Sequence, residues 1–230
     1  GAIKLTTRNP FDDTGGAIEL TGGSHGRAEG RFYVAGELSD VAAASLAGAW
    51  LTHDGFIDDR AGQRDFNNDD TKAVRAKLAV RPSDTFRATF SLDHTRQKAS
   101  LSMGRPMAPL LQTDLALGMV QLLPAASGEF DYTAETSFRP DQGQTMEHTG
   151  ASASLEWDIN SQWLFKSISA WRKLKTHSFI DIDASEYELG DVLVAIDQDQ
   201  LSQEFQLQFD NGSNLQATFG AYSMQEDVPS

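Results

Sequence analysis

Five histidines, His25, His53, His94, His148 and His177, and 33 Asp+Glu residues are the groups of this 230-residue chain best suited to acid–base or metal chemistry. Their spacing withholds it. No His-Glu-x-x-His pair sets two imidazoles on one helical face, no Gly-x-Ser-x-Gly elbow presents a nucleophile, and no phosphate-binding glycine loop ends in Lys. The nearest approach, Gly22-Gly23-Ser24-His25-Gly26, opens no helix and reads as a tight hairpin connection. Without cysteine there is no thiolate metal site, disulfide framework or thiol catalysis. No catalytic, cofactor-binding or metal-ligating residue is assigned, no cofactor is implied, and the expectation is a protein that is not an enzyme.

Two acidic stretches hold the hard oxygen ligands that calcium prefers: Asp65, Asn67, Asn68, Asp69 and Asp70, and then Asp181, Asp183, Glu186, Glu188, Asp191, Asp197 and Asp199. The first lacks the central Gly and terminal Glu of a twelve-residue calcium loop. Both are expected to be solvated external loops, with ion binding the lesser alternative, and ligand-binding residues stay unassigned. Against 19 Lys+Arg the acids give a formal charge of −14, which argues against a nucleic-acid partner.

What must position these residues is a set of strands. No apolar run reaches the roughly 20 residues of a membrane helix; Leu115 to Pro124 is broken by Gly118 and Gln121. Apolar and polar residues instead alternate with period two: Phe32, Val34, Gly36, Leu38; Ala44, Leu46, Gly48, Trp50; Val74, Ala76, Leu78, Val80; Ala88, Phe90, Leu92; Ala153, Leu155, Trp157, Ile159; Phe205, Leu207, Phe209; and Leu215, Ala217, Phe219, Ala221. Trp163 to Ile180 is also a strand by composition, although Lys166, Arg172, Lys173 and Lys175 fall on both parities. With a weaker first strand at Gly16 to Gly23, about nine antiparallel strands are predicted.

The connections sort by length. Turns at Leu38–Val41, Arg81–Asp84, Asp158–Gln162 and Asp210–Ser213 are short, whereas 53–70, 97–144 and 181–200 are long. Antiparallel order then puts short turns at one end and long loops at the other, as in transmembrane β-barrels, with only the small Ser24-His25-Gly26 link breaking the trend. A soluble all-β binding or adhesion domain, with the apolar faces buried between two sheets, is the alternative. In the barrel, Trp50, Trp157, Trp163 and Trp171 would form aromatic girdles, Trp157 and Trp163 on the short-turn side; in the sandwich they would be core, as would Phe90 and Phe209. The lumenal set would be Arg75, Lys77, Arg81, Arg87, Asp93, Glu156, Asp158 and Glu204. Met103-Gly104-Arg105-Pro106-Met107-Ala108-Pro109 reads as a structured lid segment in the longest excursion. The start at Gly1 without Met or leader predicts a cut inside a longer protein.

Several ordered markers resemble the barrel region of TonB-dependent outer-membrane receptors. Residues 1–10, Gly1 to Pro10, resemble the closing strand of that family's plug and its exit; Gly36-Glu37-Leu38-Ser39-Asp40 resembles the first periplasmic turn, with Glu37 where Pro is common. His53-Asp54-Gly55-Phe56-Ile57, Gly62 and Asp65 to Asp70 resemble the first large external loop, followed by Val74 to Leu78 and Arg81 to Asp84 as returning strand and turn. Leu201-Ser202-Gln203-Glu204-Phe205-Gln206-Leu207 is similar to the family's Ser-Gln-Glu strand, and Gly220-Ala221-Tyr222 with Glu226 to the outgoing one. The resemblance implies an all-β, partial antiparallel transmembrane β-barrel: residues 1–10 as end of plug and linker, and 11–230 as the N-terminal strands of a 22-stranded barrel, an open curved sheet here. It further implies outer-membrane location and lipid contact, import of a nutrient such as a ferric siderophore or other metal chelate, and TonB with its inner-membrane complex as partner.

Overall fold

The computed structural model of the chain describes residues 7–229. Regular structure among them is all strand, in the order β1 (Gly15–Gly22), β2 (Ala28–Ser39), β3 (Ala42–His53), β4 (Ile57–Asp59), β5 (Asp65–Phe66), β6 (Asp69–Ser83), β7 (Phe86–Ala99), β8 (Leu110–Asp114), β9 (Gly118–Leu123), β10 (Thr133–Ala134), β11 (Gln144–Asn160), β12 (Trp163–Asp181), β13 (Asp191–Asp210) and β14 (Gln216–Asp227). Nine of these form one sheet that does not close, β1-β2-β3-β6-β7-β11-β12-β13-β14, and every pair in it is antiparallel. Strand number and the segregation of turns by length agree with the sequence expectation.

Register settles the faces, because cross-strand partners share one. One ladder row joins Val34, Leu46, Ala76, Leu92, Ala151, Trp171 and Leu201; another joins Phe86, Trp157, Phe165, Leu207 and Phe219. Ile18, Leu20, Leu92 and Phe219 on this face are 79%, 80%, 63% and 62% exposed. The remaining sheets among the described residues are the small β10-β4-β5 and β8-β9, so no second large sheet buries these side chains, as the soluble sandwich requires. That alternative is set aside.

The sequence reading of the long loops needs correction. The segment 181–200 is largely strand, since β13 starts at Asp191 and pairs with β12 from its first residue. Its charges obscured the alternation, but Asp197 and Asp199 lie beside Lys175 and Lys173, at 3.1 and 3.8 Å, as cross-strand pairs. The same height resolves the mixed parity of β12. Lys166 and Arg172 face inward, while Lys173 and Lys175 face outward beyond Trp171, where an outward charge meets water or headgroups. The other two loops carry short strands of their own, too brief to show a period.

Candidate functional site

Three layers define what the sheet can do: an apolar outer band, a polar inner wall and an external loop layer. On the outer face aromatic residues mark both ends of the band. Trp157 is half-exposed near the β11–β12 turn, and Trp163 packs at 4.8 Å and a 45° tilt against Phe209 beside it. At the other end lie Trp50 and Trp171, whose indole Nε1 donates to Asp199 Oδ1 at 2.9 Å. From Trp163 to Trp171 is about 26 Å along the strand, or about 20 Å of thickness at a tilt of about 40°, close to the height of an outer-membrane band. Polar interruptions of the band are mutually satisfied: Ser169 Oγ donates to Gln203 Oε1 at 2.5 Å and Gln203 Nε2 to Ser167 Oγ at 3.0 Å.

On the inner wall every charge named from the sequence falls on the expected parity. Arg87 lies 2.9 Å from Asp158 and 3.4 Å from Glu156, which accepts from Lys166 at 2.8 Å. The most connected carboxylate is Asp93. Arg172 Nη1 donates to both its oxygens at 2.9 Å, with Arg75 at 3.9 Å and His148 at 3.7 Å. Arg172 and Asp93 are two strands apart, separated by Gly150 in the same row. A Cβ at Gly150 would sit 2.0 Å from Arg172 Nη1, so the glycine is the gap through which the guanidinium reaches across. Nothing in the local sequence announces this triplet, because it depends on the register of three strands.

The same wall holds the segment before β1. Lys77 Nζ donates to Thr7 Oγ1 at 2.6 Å and to the Arg8 carbonyl at 2.9 Å, while Arg81 lies 3.7 Å over the Phe11 ring. Tyr33 donates to the Asp13 carbonyl at 3.1 Å, and Pro10 is fully buried. Residues 1–6 of the expected plug strand lie outside the described residues.

In the external layer Ile57, Phe66, Leu101, Met103 and Ala134 form a small core, with Phe130, Phe138, Phe179 and Ala184 packed against it. Three loops thus share one apolar nucleus, and Met103 of the expected lid segment is part of it, whereas Met107 is exposed. The first acidic stretch clasps a neighbouring loop. Asn67 accepts from the Met103 amide at 2.7 Å and donates to its carbonyl at 3.2 Å, Asn68 accepts from the Ser100 amide at 2.5 Å, and Asp69 accepts from Thr71 and Gln97. It is therefore partly buried rather than a solvated loop.

The second stretch divides. Asp197 and Asp199 pair with lysines, Glu186 and Glu188 stay apart, and Asp181, Asp183 and Asp191 converge. Burial holds the Asp181 carboxyl above the usual carboxylate range, the Asp183 and Asp191 carboxylates adding to it against the hydrogen bond from the Ala184 amide. The five histidines are dispersed. His94 meets Thr149, His148 meets Asp93, His53 meets the Asp54 carbonyl and His25 packs its edge on Phe56. Among the described residues no potential metal-ligating group contains a histidine. Gly22 to Gly26 forms the tight link expected, with Gly26 at φ +61° pressed on Asp54.

No protein-family model and no curated protein matches the sequence. Solved structures do. The ferric yersiniabactin uptake receptor FyuA of Yersinia pestis superposes with a TM-score of 0.63 at 18% identity, over 96% of this chain and 32% of that one. The ferric-catecholate import receptor Fiu of E. coli K12 gives 0.71 at 17% identity, over 96% and 35%. The ferripyoverdine receptor of the outer membrane of Pseudomonas aeruginosa gives 0.55 at 14%, over 92% and 28%. The chain spans about a third of the length of these receptors. An unclosed antiparallel sheet, apolar outside and charged inside with its loops gathered at one end, is therefore the fold of a consecutive run of barrel strands in these receptors, the fold that the resemblance of the sequence markers implied.

Proposed function

We propose that this chain supplies the first barrel strands of an outer-membrane receptor that binds an extracellular nutrient, a ferric siderophore foremost, and imports it with energy delivered through TonB. The observation that carries this reading is the division of one sheet into an apolar, exposed outer band and a charged inner wall, which suits lipid on one side and a plugged, hydrated lumen on the other. Residues 1–10 are then the end of the plug with its linker, and 11–230 barrel. The docking of Thr7 to Asp13 on Lys77, Arg81 and Tyr33 supports a chain that enters the barrel from inside. The chemistry is capture and gated passage, with no covalent step and no catalytic residue.

The test is uptake of radiolabelled iron by a deletion strain in iron-limited medium, supplied with a panel of ferric siderophores. Expected is loss of uptake of one panel member, restored by the gene and abolished again when TonB is disrupted. Unchanged uptake across the panel would remove the siderophore reading, and the same assay with a corrinoid and an oligosaccharide then separates cargo class from transport itself. Recovery of the protein in the soluble fraction would sink the receptor reading altogether.

A further inference from the structure

We propose that Asp181, Asp183 and Asp191 form a site for one hard divalent cation, calcium in preference to magnesium, which clamps the β12–β13 hairpin to the long excursion between β7 and β11. Register alone creates the problem that the ion solves. Asp181 and Asp191 are the last cross-strand pair of the hairpin, and like charges directly opposite one another destabilise a sheet. Asp183, two residues beyond Asp181, joins the pair, and Ala184 next to it sits in the left-handed region at φ 51°. One oxygen from each of the three carboxylates lies within 4.8 Å of the other two.

The hydrogen bonds leave half of this oxygen set unused. Asp181 Oδ1 accepts from the Ala184 amide at 2.7 Å, Asp183 Oδ1 from Ser185 Oγ, and Asp191 Oδ2 from Ser137 Oγ. The other three oxygens, Asp181 Oδ2, Asp183 Oδ2 and Asp191 Oδ1, are buried without any donor. Asp183 is 4% exposed, so its free oxygen has no route to bulk water. Among the described residues no Lys, Arg or His forms an ion pair with any of the three. Elsewhere in the chain a buried carboxylate of this kind, Asp93, has arginines around it. Burying carboxylates without a counter-charge is costly, and a cation is the partner missing from the set.

Donor type selects the ion. Three carboxylates without imidazole or thiolate suit a hard cation rather than zinc or copper. Calcium is favoured over magnesium because a partly buried cage of protein carboxylates suits its flexible coordination, whereas magnesium demands near-ideal octahedral geometry and keeps several of its waters. The clamp would act on two loops together. Ser137 comes from the β7–β11 excursion and bonds Asp191, and Phe138 beside it packs edge-on against Phe179 of β12 at 5.4 Å.

Calcium titration of the full chain in detergent micelles after chelator stripping tests this directly. Expected is one calcium site with Kd of about 10 µM to 1 mM, the range of sensor and extracellular sites, and magnesium at least about tenfold weaker. Calcium should slow cleavage by a glutamate-specific protease after Glu186 and Glu188 at least tenfold. Asp183→Asn should weaken binding and protection together by tenfold or more, while Asp197→Asn, at the lysine-paired carboxylate of β13, should leave both unchanged. If Asp183→Asn fails to assemble, Asp191→Asn and the triple Asp181→Asn/Asp183→Asn/Asp191→Asn variant take its place; the triple variant should be protease-resistant in chelator. Absence of calcium binding by the unmodified chain, or binding and protection untouched by these substitutions, would overturn the site.

Discussion

On β6 and β7, Ala76, Leu78, Phe90 and Leu92 alternate with Arg75, Lys77, Ser91 and Asp93, so one hydrogen-bonded backbone presents two surfaces of opposite chemistry. The outer surface is held by what it lacks. Its side chains need no particular partner, only the absence of an unpaired polar group in hydrocarbon, and Ser167, Ser169 and Gln203 meet that demand by bonding one another. The inner surface is held partner by partner, as in Arg172 reaching Asp93 over Gly150. One apolar residue should therefore replace another freely outside, whereas an inner residue is tied to the one its row sets against it.

The largest expected effect breaks the outer rule. Phe90→Arg should destabilise the chain in lipid vesicles by about 2–4 kcal/mol, against under about 1 kcal/mol for Ser91→Arg on the inner face; urea titration of both reads the contrast, and equal losses would void the face assignment. Ala79 is a poor inner control because it is buried. Next comes the inner rule. Asp93→Ala, which strands Arg172, should cost about 1–3 kcal/mol. Gly150→Ala should cost less, about 0.5–1.5 kcal/mol, and add little on top of Asp93→Ala, since both remove one bridge; full additivity in the cycle would mean that the glycine serves another purpose. Smallest should be Gln203→Leu, under about 1 kcal/mol, because the released serine hydroxyls can turn back to backbone carbonyls. A larger loss in the same titration would show that the polar trio fastens β12 to β13.

Alternation and turn length made the nine spanning strands and most of both faces legible, because each is a local property repeated along the chain, whereas the phase of β12 came only from its cross-strand partners. The strands inside the loops were not legible. β4, β5 and β10 are two or three residues long, and their apolar anchors Ile57, Phe66 and Ala134 come together only through two separate connections. The acidic stretches teach the same lesson from another side. Asp65 to Asp70 and Asp181 to Asp199 look alike in composition, yet backbone donors from Ser100 and Met103 reach the first, and a hairpin register converges part of the second. Which carboxylate acquires a partner is a tertiary fact.

The tryptophans at the loop end of the band also measure an angle. Starting from Trp50 on β3, the ladder row passes Lys72, Arg96 and Glu147 and arrives at Lys175 on β12, four strands on. The girdle residue of β12 is Trp171, four positions nearer the short-turn end. A slip of one residue per strand, about 3.3 Å for each step of about 4.8 Å, corresponds to an inclination of about 35° between the rows and the membrane plane. The lumenal ion pairs belong to those rows. Arg75, Asp93 and Arg172 therefore climb the wall like the thread of a screw, each at its own depth. Along the inner wall the charges of this row follow one another in depth, Arg75, then Asp93, then Arg172 past the uncharged Gly150, instead of lying as a ring at a single level.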